Sequence, residues 1–444
     1  MTEPFEDLSA ADRQLVSRLR RDVLAALGAG TALGLLPRTA AAQAAQPPDP
    51  LVHGALKHWP EYVRQLEPAG DLIDMTWEPG SEQLRAELYR QLVMNIAQGY
   101  IWYFQSTPDH PDWMPFENSI FVLQPNPDAV YHLAPVSGQG VYRVSGFRGS
   151  NRVMGFAVGR GMLGTAEPQP GFNNYDADGL TLGTDGAFDV VFSTERPKDW
   201  TGDWRYLHPE AGSILIRQFS YDWGVEQEAR FAIERLDRAP LKPRQPKEEI
   251  GARLDLLLGG FVRRMSRICI GVDNAVAQRL GLNVMELSGF EDLGNSGEWP
   301  QKYWRCIYDY QPGEALIIET GLPRQCKYWN VQLNDALWNQ IEFGYRQSSL
   351  NGHQARLDAD GRFRAVIALE DPGVPNWLDS GGYLRGMLVG RWNGADSHPL
   401  PTIRKVPLGE IRRHLPADTP QVSPQDREAV LRARNRGLQM RRRW

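Results

Sequence analysis

The sequence predicts a mainly β protein with flanking helices, built as two tandem antiparallel β-sandwich or jelly-roll-like domains from an internal duplication. Three observations carry that expectation. Asp185-Gly186, Phe188, Val191, Glu195 and Pro197 return in the same spacing as Asp360-Gly361, Phe363, Val366, Glu370 and Pro372. Around both copies, short β-branched or aromatic runs are bounded by Gly, Asp and Pro, the pattern of strands joined by tight turns. Helical spacing is confined to segments before, between and after the two copies.

At 444 residues the chain has room for two or three domains, and 42% hydrophobic with 23% charged residues places it among ordinary globular proteins. Residues 1–44 read as a leader. Arg20-Arg21 precedes an apolar run, Val23 to Leu36, and a small-residue stretch ending in Ala40-Ala41-Ala42 or Ala42-Gln43-Ala44. This is the pattern of a twin-arginine (Tat) signal, so the Tat machinery is an expected partner and the periplasm or exterior the expected location. The apolar run is too short to span a bilayer, and no other transmembrane segment is expected. Residues 45–114 then hold a linker and a helix, in which Leu84, Leu88, Leu92, Ile96 and Tyr100 recur every four residues behind a Ser81 N-cap.

The first β domain is expected over 115–222, with strands at Val141–Val144, Val153–Val158, Phe188–Phe192 and Ile214–Phe219 and a hairpin turn at Asp185-Gly186. The register of the repeat runs back through Gly146/Gly321. Past Pro197 it slips and resumes with Gly212/Gly381, Leu215/Leu384 and Trp223/Trp392. Residues 223–299 read as a helical bridge: Asp222 suits an N-cap for Val225–Leu236, and Glu248–Gly281 is a second helical stretch. The second β domain spans 300–405. A basic C-terminal helix in 406–444 has Ser423 as N-cap, Pro424 at its first position and Asp426 at its third. With seven Arg against two acids after residue 424, that helix is expected to dock on an acidic body, since the net charge is −5 overall.

Cys326-Lys327-Tyr328-Trp329-Asn330-Val331-Gln332-Leu333, Asp371-Pro372-Gly373-Val374-Pro375-Asn376-Trp377-Leu378-Asp379 and Arg391-Trp392 resemble the signature of a bacterial exported family of unknown function. Asn126-Pro127-Asp128-Ala129-Val130-Tyr131 and Val141–Gly149 look like its upstream region. The resemblance implies tandem jelly-roll-like β domains and no particular activity. Where relatives tend to carry Thr-Ala-Gly-His, this chain has Ser380-Gly381-Gly382-Tyr383, so a phenol stands where an imidazole is common.

Cofactor chemistry has no motif behind it. The eight histidines form neither H-x-H nor HExxH, and no cysteine pair has zinc spacing, so no metal or other cofactor is expected. No G-x-S-x-G elbow, P-loop or G-x-G-x-x-G after a strand is present. Cys269, Cys306 and Cys326 read as buried thiols, with a Cys306–Cys326 bridge as the alternative.

Carboxylates beside aromatics remain. Asp128 and His132 share a face if an extended strand follows Asp128, which would make an acid/base pair beside Tyr131. The alternative is an Asn-Pro-Asp turn. Asp379 with Trp377 and Asn376 could line the mouth of a cleft, with Tyr383 and Trp329 as further binding surfaces and a duplicated counterpart at Asp199-Trp200 to Asp203-Trp204. Glu319, if it faced inward, would have a raised pKa; Glu342 is the remaining carboxylate. The leading expectation is an exported, metal-free acid/base hydrolase or lyase acting on a carbohydrate or similar hydroxylated substrate. The alternative is a non-catalytic periplasmic binding or structural protein for an apolar or aromatic ligand. A small-molecule or glycan ligand and a homo-oligomer are the partners this implies; nucleic acid is not among them.

Overall fold

A computed structural model describes residues 56–116, 123–165, 171–289 and 298–441; the leader reading of residues 1–44 lies outside them. In the first half the strands are β1 (Met114–Pro115), β2 (Ala129–Pro135), β3 (Tyr142–Phe147), β4 (Val153–Gly159), β5 (Gly171–Asp176), β6 (Ala187–Ser193), β7 (Asp203–Tyr206), β8 (Ser213–Phe219) and β9 (Arg230–Arg235). In the second they are β10 (Glu286–Gly289), β11 (Gln301–Asp309), β12 (Glu314–Thr320), β13 (Cys326–Leu333), β14 (Ser349–Asn351), β15 (Phe363–Ala368), β16 (Trp377–Asp379), β17 (Arg385–Ala395) and β18 (Thr402–Pro407).

Two sheets form in each half, in matching order: β1-β2-β8-β4-β5 with β7-β6-β3-β9, then β10-β11-β17-β13-β14 with β16-β15-β12-β18. Each strand of the first half has its counterpart nine strands later. Even the exception is copied, because β6/β7 and β15/β16 are the parallel pairs in otherwise antiparallel sheets. The duplication is therefore one of topology as well as sequence. Asp185-Gly186 and Asp360-Gly361 turn into β6 and β15 with φ of 79° and 74° at the glycines, a conformation that costs glycine little.

Within each sandwich, alternate residues of both sheets fill the interior. Met154, Phe156 and Val158 of β4 meet Phe188, Val190 and Phe192 of β6; Trp329, Val331 and Leu333 of β13 meet Phe363, Ala365 and Ile367 of β15. The other faces of the two five-stranded sheets join a third core, with Val153, Phe219, Tyr303, Tyr328 and Val389 packed among helical residues such as Phe261 and Met265. The site lies along that junction.

Among the described residues the α-helices are α1 (Trp59–Arg64), α2 (Glu82–Tyr100), α3 (Lys247–Leu256), α4 (Val262–Leu280) and α5 (Pro424–Met440). A π-turn at Leu257–Phe261 joins α3 to α4. Ser81 caps α2 through the Leu84 N–H, and Ser423 with Asp426 forms a reciprocal capping box on α5. Among the described residues no helix is long and apolar enough to cross a membrane.

Three expectations need correction. Val225–Leu236 is not helical: residues 230–235 are β9, the edge strand beside β3. Phe231 and Ile233 alternate with charged neighbours there, so the period is two and the first sandwich extends past residue 222. The Trp223/Trp392 equivalence also fails. Trp392 of β17 lies opposite Trp329, whereas Gln218 of β8 lies opposite Met154, the counterpart of Trp329; Trp223 comes after β8 has ended. Finally, α2 is rotated from its expected face. It buries Leu84, Leu88, Gln91, Asn95 and Gln98, while Tyr100 is exposed. The three cysteines are free thiols, Cys306 fully buried.

Candidate functional site

Strand β13 carries the richest polar surface in the molecule. Its residues alternate, with Trp329, Val331 and Leu333 turned into their own sandwich and Tyr328, Asn330 and Gln332 turned toward the first half. The segment Gln124–Asp128 lies along that polar edge and is held by side chains. Tyr328 donates its single hydroxyl proton toward Asp128 Oδ2 at 2.6 Å, with Asn126 Oδ1 also within 3.0 Å of its oxygen. Asn330 Nδ2 reaches Asn126 Oδ1 at 2.8 Å, and Gln332 Nε2 reaches the Pro125 carbonyl at 3.1 Å. Asn334 Nδ2 closes the row on Gln124 Oε1 at 3.3 Å. Two of the motifs singled out in the sequence, Asn-Pro-Asp and Tyr-Trp-Asn-Val-Gln-Leu, are thus two sides of one clamp.

Asp128 is the hub of the clamp. Besides Tyr328 and Asn330, its carboxylate accepts from Trp223 Nε1 at 2.8 Å and Asn351 Nδ2 at 2.6 Å. Four donors fill the acceptor capacity of a carboxylate, so little remains for a substrate proton. Asp128 sits in a turn closed by the Ala129 N–H on the Asn126 carbonyl, before β2 begins. It does not pair with His132, which corrects the acid/base expectation. His132 points into the first sandwich, where its ring meets Phe231 edge-on at 5.1 Å. Tyr131 faces the other way and accepts from the Asn126 N–H at 3.1 Å.

The second expected cluster is also structural. Asp379 pairs with Arg346 at 2.8 Å and accepts from the Gly381 N–H at 2.8 Å, bracing the Ser380–Tyr383 turn. Trp377 donates to the Ala368 carbonyl at 3.0 Å under the guanidinium of Arg427. Asn376 bridges the Arg356 and Arg364 carbonyls, and Trp329 packs between Phe363 and Trp392. Burial holds the Tyr383 phenol high, with Asp335 and Glu87 adding to the effect. Trp204 is the true counterpart of Trp377, since each lies opposite the matching residue of the neighbouring parallel strand, Val191 or Val366. Glu319 is turned outward, on the side of β12 opposite Leu316 and Ile318, so the inward placement that would raise its pKa is not met. Burial alone would raise its pKa, but Arg364 and Arg362 hold it below the usual carboxylate value. Glu342 accepts from the Gly344 and Tyr345 N–H groups in a turn.

The structure brings forward residues that sequence reasoning passed over. Arg391 of β17 is 4% exposed and makes no ion pair among the described residues. Its Nη1 reaches Gln332 Oε1 at 2.5 Å and Asn330 Oδ1 at 3.3 Å, its Nη2 the Gln124 carbonyl at 3.4 Å, and its plane lies 5.5 Å from the Tyr303 ring. Every acceptor is neutral. Arg217 of β8 occupies the corresponding place in the first half: Arg217 lies opposite Tyr131 as Arg391 lies opposite Tyr303. It bonds Asn174 at 3.0 Å and lies over Trp299.

Backbone strain gathers at the same place. Of the four non-glycine residues with positive φ among the described residues, three are Leu123, Gln124 and Trp338. Gln124 N–H donates to the Trp338 carbonyl at 3.1 Å, and Trp338 Nε1 to Gln124 Oε1 at 2.9 Å. Such conformations cost of order 1–3 kcal/mol each and concentrate at ligand clamps and switch regions. Beneath this loop lie two buried acids. Burial pushes the Asp335 carboxyl up to about 6, against its bonds from the Asn339 and Leu337 N–H groups. Asp273 of α4 is raised further, by burial and then by Asp335. A period-two polar pattern in Tyr328, Asn330 and Gln332 was the available signal for the clamp. Arg391 stands out in the sequence only as the Arg-Trp ending of a strand, with no role attached, and nothing local marks Asp273 or Trp338.

No protein-family model matches the chain, and no curated protein matches it. Among solved structures, it is similar to an uncharacterized protein from Burkholderia cenocepacia, at 26% identity and a TM-score of 0.73, over 79% of this chain and 97% of that one. A second similarity is to the VPA0106 protein of Vibrio parahaemolyticus, at 12% identity and a TM-score of 0.39, over 76% of this chain and all of that one. The Burkholderia protein supports the two-sandwich fold over nearly its whole length.

Proposed function

We propose that this chain is a non-catalytic binding protein that seats a small anionic ligand with a flat or aromatic body at the junction of its two sandwiches. Arg391 carries the reading: a guanidinium almost out of water, answered among the described residues by neutral oxygens alone and lying near an aromatic ring. A buried charge without a partner is costly, and a carboxylate or phosphate on a ligand would relieve that cost through a bidentate pair. Tyr303 supplies a face for a planar group. The strained Gln124–Trp338 contact supports a clamp that ligand contacts would reinforce. The leader pattern supports a periplasmic setting.

The same geometry weakens the acid/base hydrolase or lyase expectation. Asp128 and Asp379 are occupied by structural bonds, and neither stands beside an imidazole. The reading is tested with thermal-shift and calorimetric screens of aromatic carboxylates and sugar phosphates, together with native mass spectrometry of the purified protein. Binding by the parent that falls at least tenfold in Arg391→Gln, with the fold intact, is the expected result. Equal affinity in Arg391→Gln, or turnover of a glycan panel that survives that change but not Asp379→Asn, would overturn it.

A further inference from the structure

Helix α2 carries apolar residues on both its sides. Its inward side buries Leu84 and Leu88 together with the amides of Gln91, Asn95 and Gln98. Gln91 bonds the Leu337 carbonyl and Asn339, and Asn95 bonds Ser266 of α4. These contacts fix the helix's rotation, and the opposite side is apolar. Tyr89 is 49% exposed, Val93 64% and Tyr100 57%, with Ala86 and Ala97 exposed beside them and Ile96 half-buried between them.

Tyr89, Val93, Ile96 and Tyr100 recur at steps of four, three and four residues, which keeps them on one stripe for three turns. That alternation of four and three is the spacing of a helix-pairing seam. Ile96 leans partly on the central core and Tyr100 stacks on Phe104, while Tyr89 and Val93 stand open among the described residues. Helix α1 packs on the same Leu257–Phe261 turn as α2, and Trp59 and Val63 of α1, with Leu56 just before it, are exposed.

We infer that this face is the interface of a homodimer, in which α2 pairs antiparallel with the α2 of a second copy across a two-fold axis. The stripe is self-complementary in that arrangement. Tyr89 falls opposite the partner's Tyr100, and Val93 opposite the partner's Ile96, and the same pairs recur in the other direction, as a two-fold interface requires. Size agrees as well. Scaling roughly 150–250 Å² for a full aromatic side chain by these exposures, the α2 and α1 residues together offer on the order of 600–800 Å² per copy. A standard interface takes about 800 Å² from each partner, a size reached when the exposed residues of α1 join those of α2. This inference is independent of the reading of Arg391.

Sedimentation velocity of the purified chain across a dilution series tests it. The expected result is a species of twice the chain mass that dissociates on dilution. Val93→Glu and Tyr100→Glu are each expected to sediment as single chains with an unchanged circular-dichroism melt, because both side chains are already largely in water. Val430→Glu, on the exposed side of α5, is the control that should remain dimeric. A short bis-maleimide should cross-link Val93→Cys between copies. A parent that keeps the single-chain mass at every concentration would overturn the inference. So would a Val93→Glu dimer with the parent's dissociation constant, or a monomer that instead co-sediments with lipid vesicles.

Discussion

Strands β4 and β13 occupy the same place in the two sandwiches, yet only one of their faces has stayed alike. The inward residues are apolar in both: Met154, Phe156 and Val158 answer to Trp329, Val331 and Leu333. On the outward face, Val153, Gly155 and Ala157 stand where the second copy has Tyr328, Asn330 and Gln332. The first copy has kept that face small and the second has filled it with hydrogen-bonding reach. Gly155 shows why the smallness matters. A Cβ there would lie 2.3 Å from the Trp299 ring, so a tryptophan of the second half fits only because the first half withholds a side chain. A duplicated fold can thus hold its cores constant while its touching faces diverge into lock and recess.

The largest expected effect comes from removing the hub of the polar side. Asp128→Ala strands the Trp223, Tyr328, Asn330 and Asn351 donors in a buried setting and should cost about 3–5 kcal/mol in urea unfolding. A loss below about 1 kcal/mol would mean that the polar face contributes little to joining the halves. The small side is tested by Gly155→Val, which should cost roughly 1–3 kcal/mol through overpacking. Adding Trp299→Ala should return part of that loss, so that the double variant is less impaired than the sum of the two; strict additivity would separate Gly155 from Trp299.

A third test uses acidity beneath the loop after β13. The Asp335 carboxyl is held at about 6 when folded, against an ordinary 3.8. The folded chain therefore keeps a proton that the unfolded chain has already released between those values. The contribution of Asp335 to stability should be full below pH 4, fall as pH rises to 6 and then level off, by on the order of 3 kcal/mol. Asp335→Asn should flatten that slope; an unchanged slope would assign it to other groups. The smallest effect is expected at α5, where Ser423→Ala removes one side of a capping box and should cost about 1 kcal/mol.

Much of the scaffold could be read from the residues because its causes are local. Period-two apolar runs, Asp-Gly turns and the Ser81 and Ser423 caps act within a few positions of themselves, and all formed as expected. β9 was within reach, since Phe231 and Ile233 alternate, but the surrounding Val225 and Leu236 suggested a longer period. The rotation of α2 depends on partners near residues 266 and 339, which no window along the helix contains. The junction was least legible. Asp128 is satisfied by residues from 223 to 351, and the value of Arg391 lies in its making no ion pair among the described residues, a property of three dimensions alone. Asp128 and Asp379 have a composition suited to catalysis, but both are buried, one held by four donors and the other by Arg346 and the Gly381 N–H.

The three buried arginines of α5 and its C-cap have a consequence for how the molecule is made. Arg427 binds Asp371 of the second half, Arg434 lies 4.5 Å over Trp223, and Arg441 donates to the carbonyls of Pro127 and Asp128, the latter 313 residues earlier. The first sandwich, whose last strand ends at Arg235, therefore waits for this fastening until Arg441 has been synthesised. At about 5–20 residues per second, that wait is roughly 10–40 s, during which its unfilled outer face must be kept from other chains.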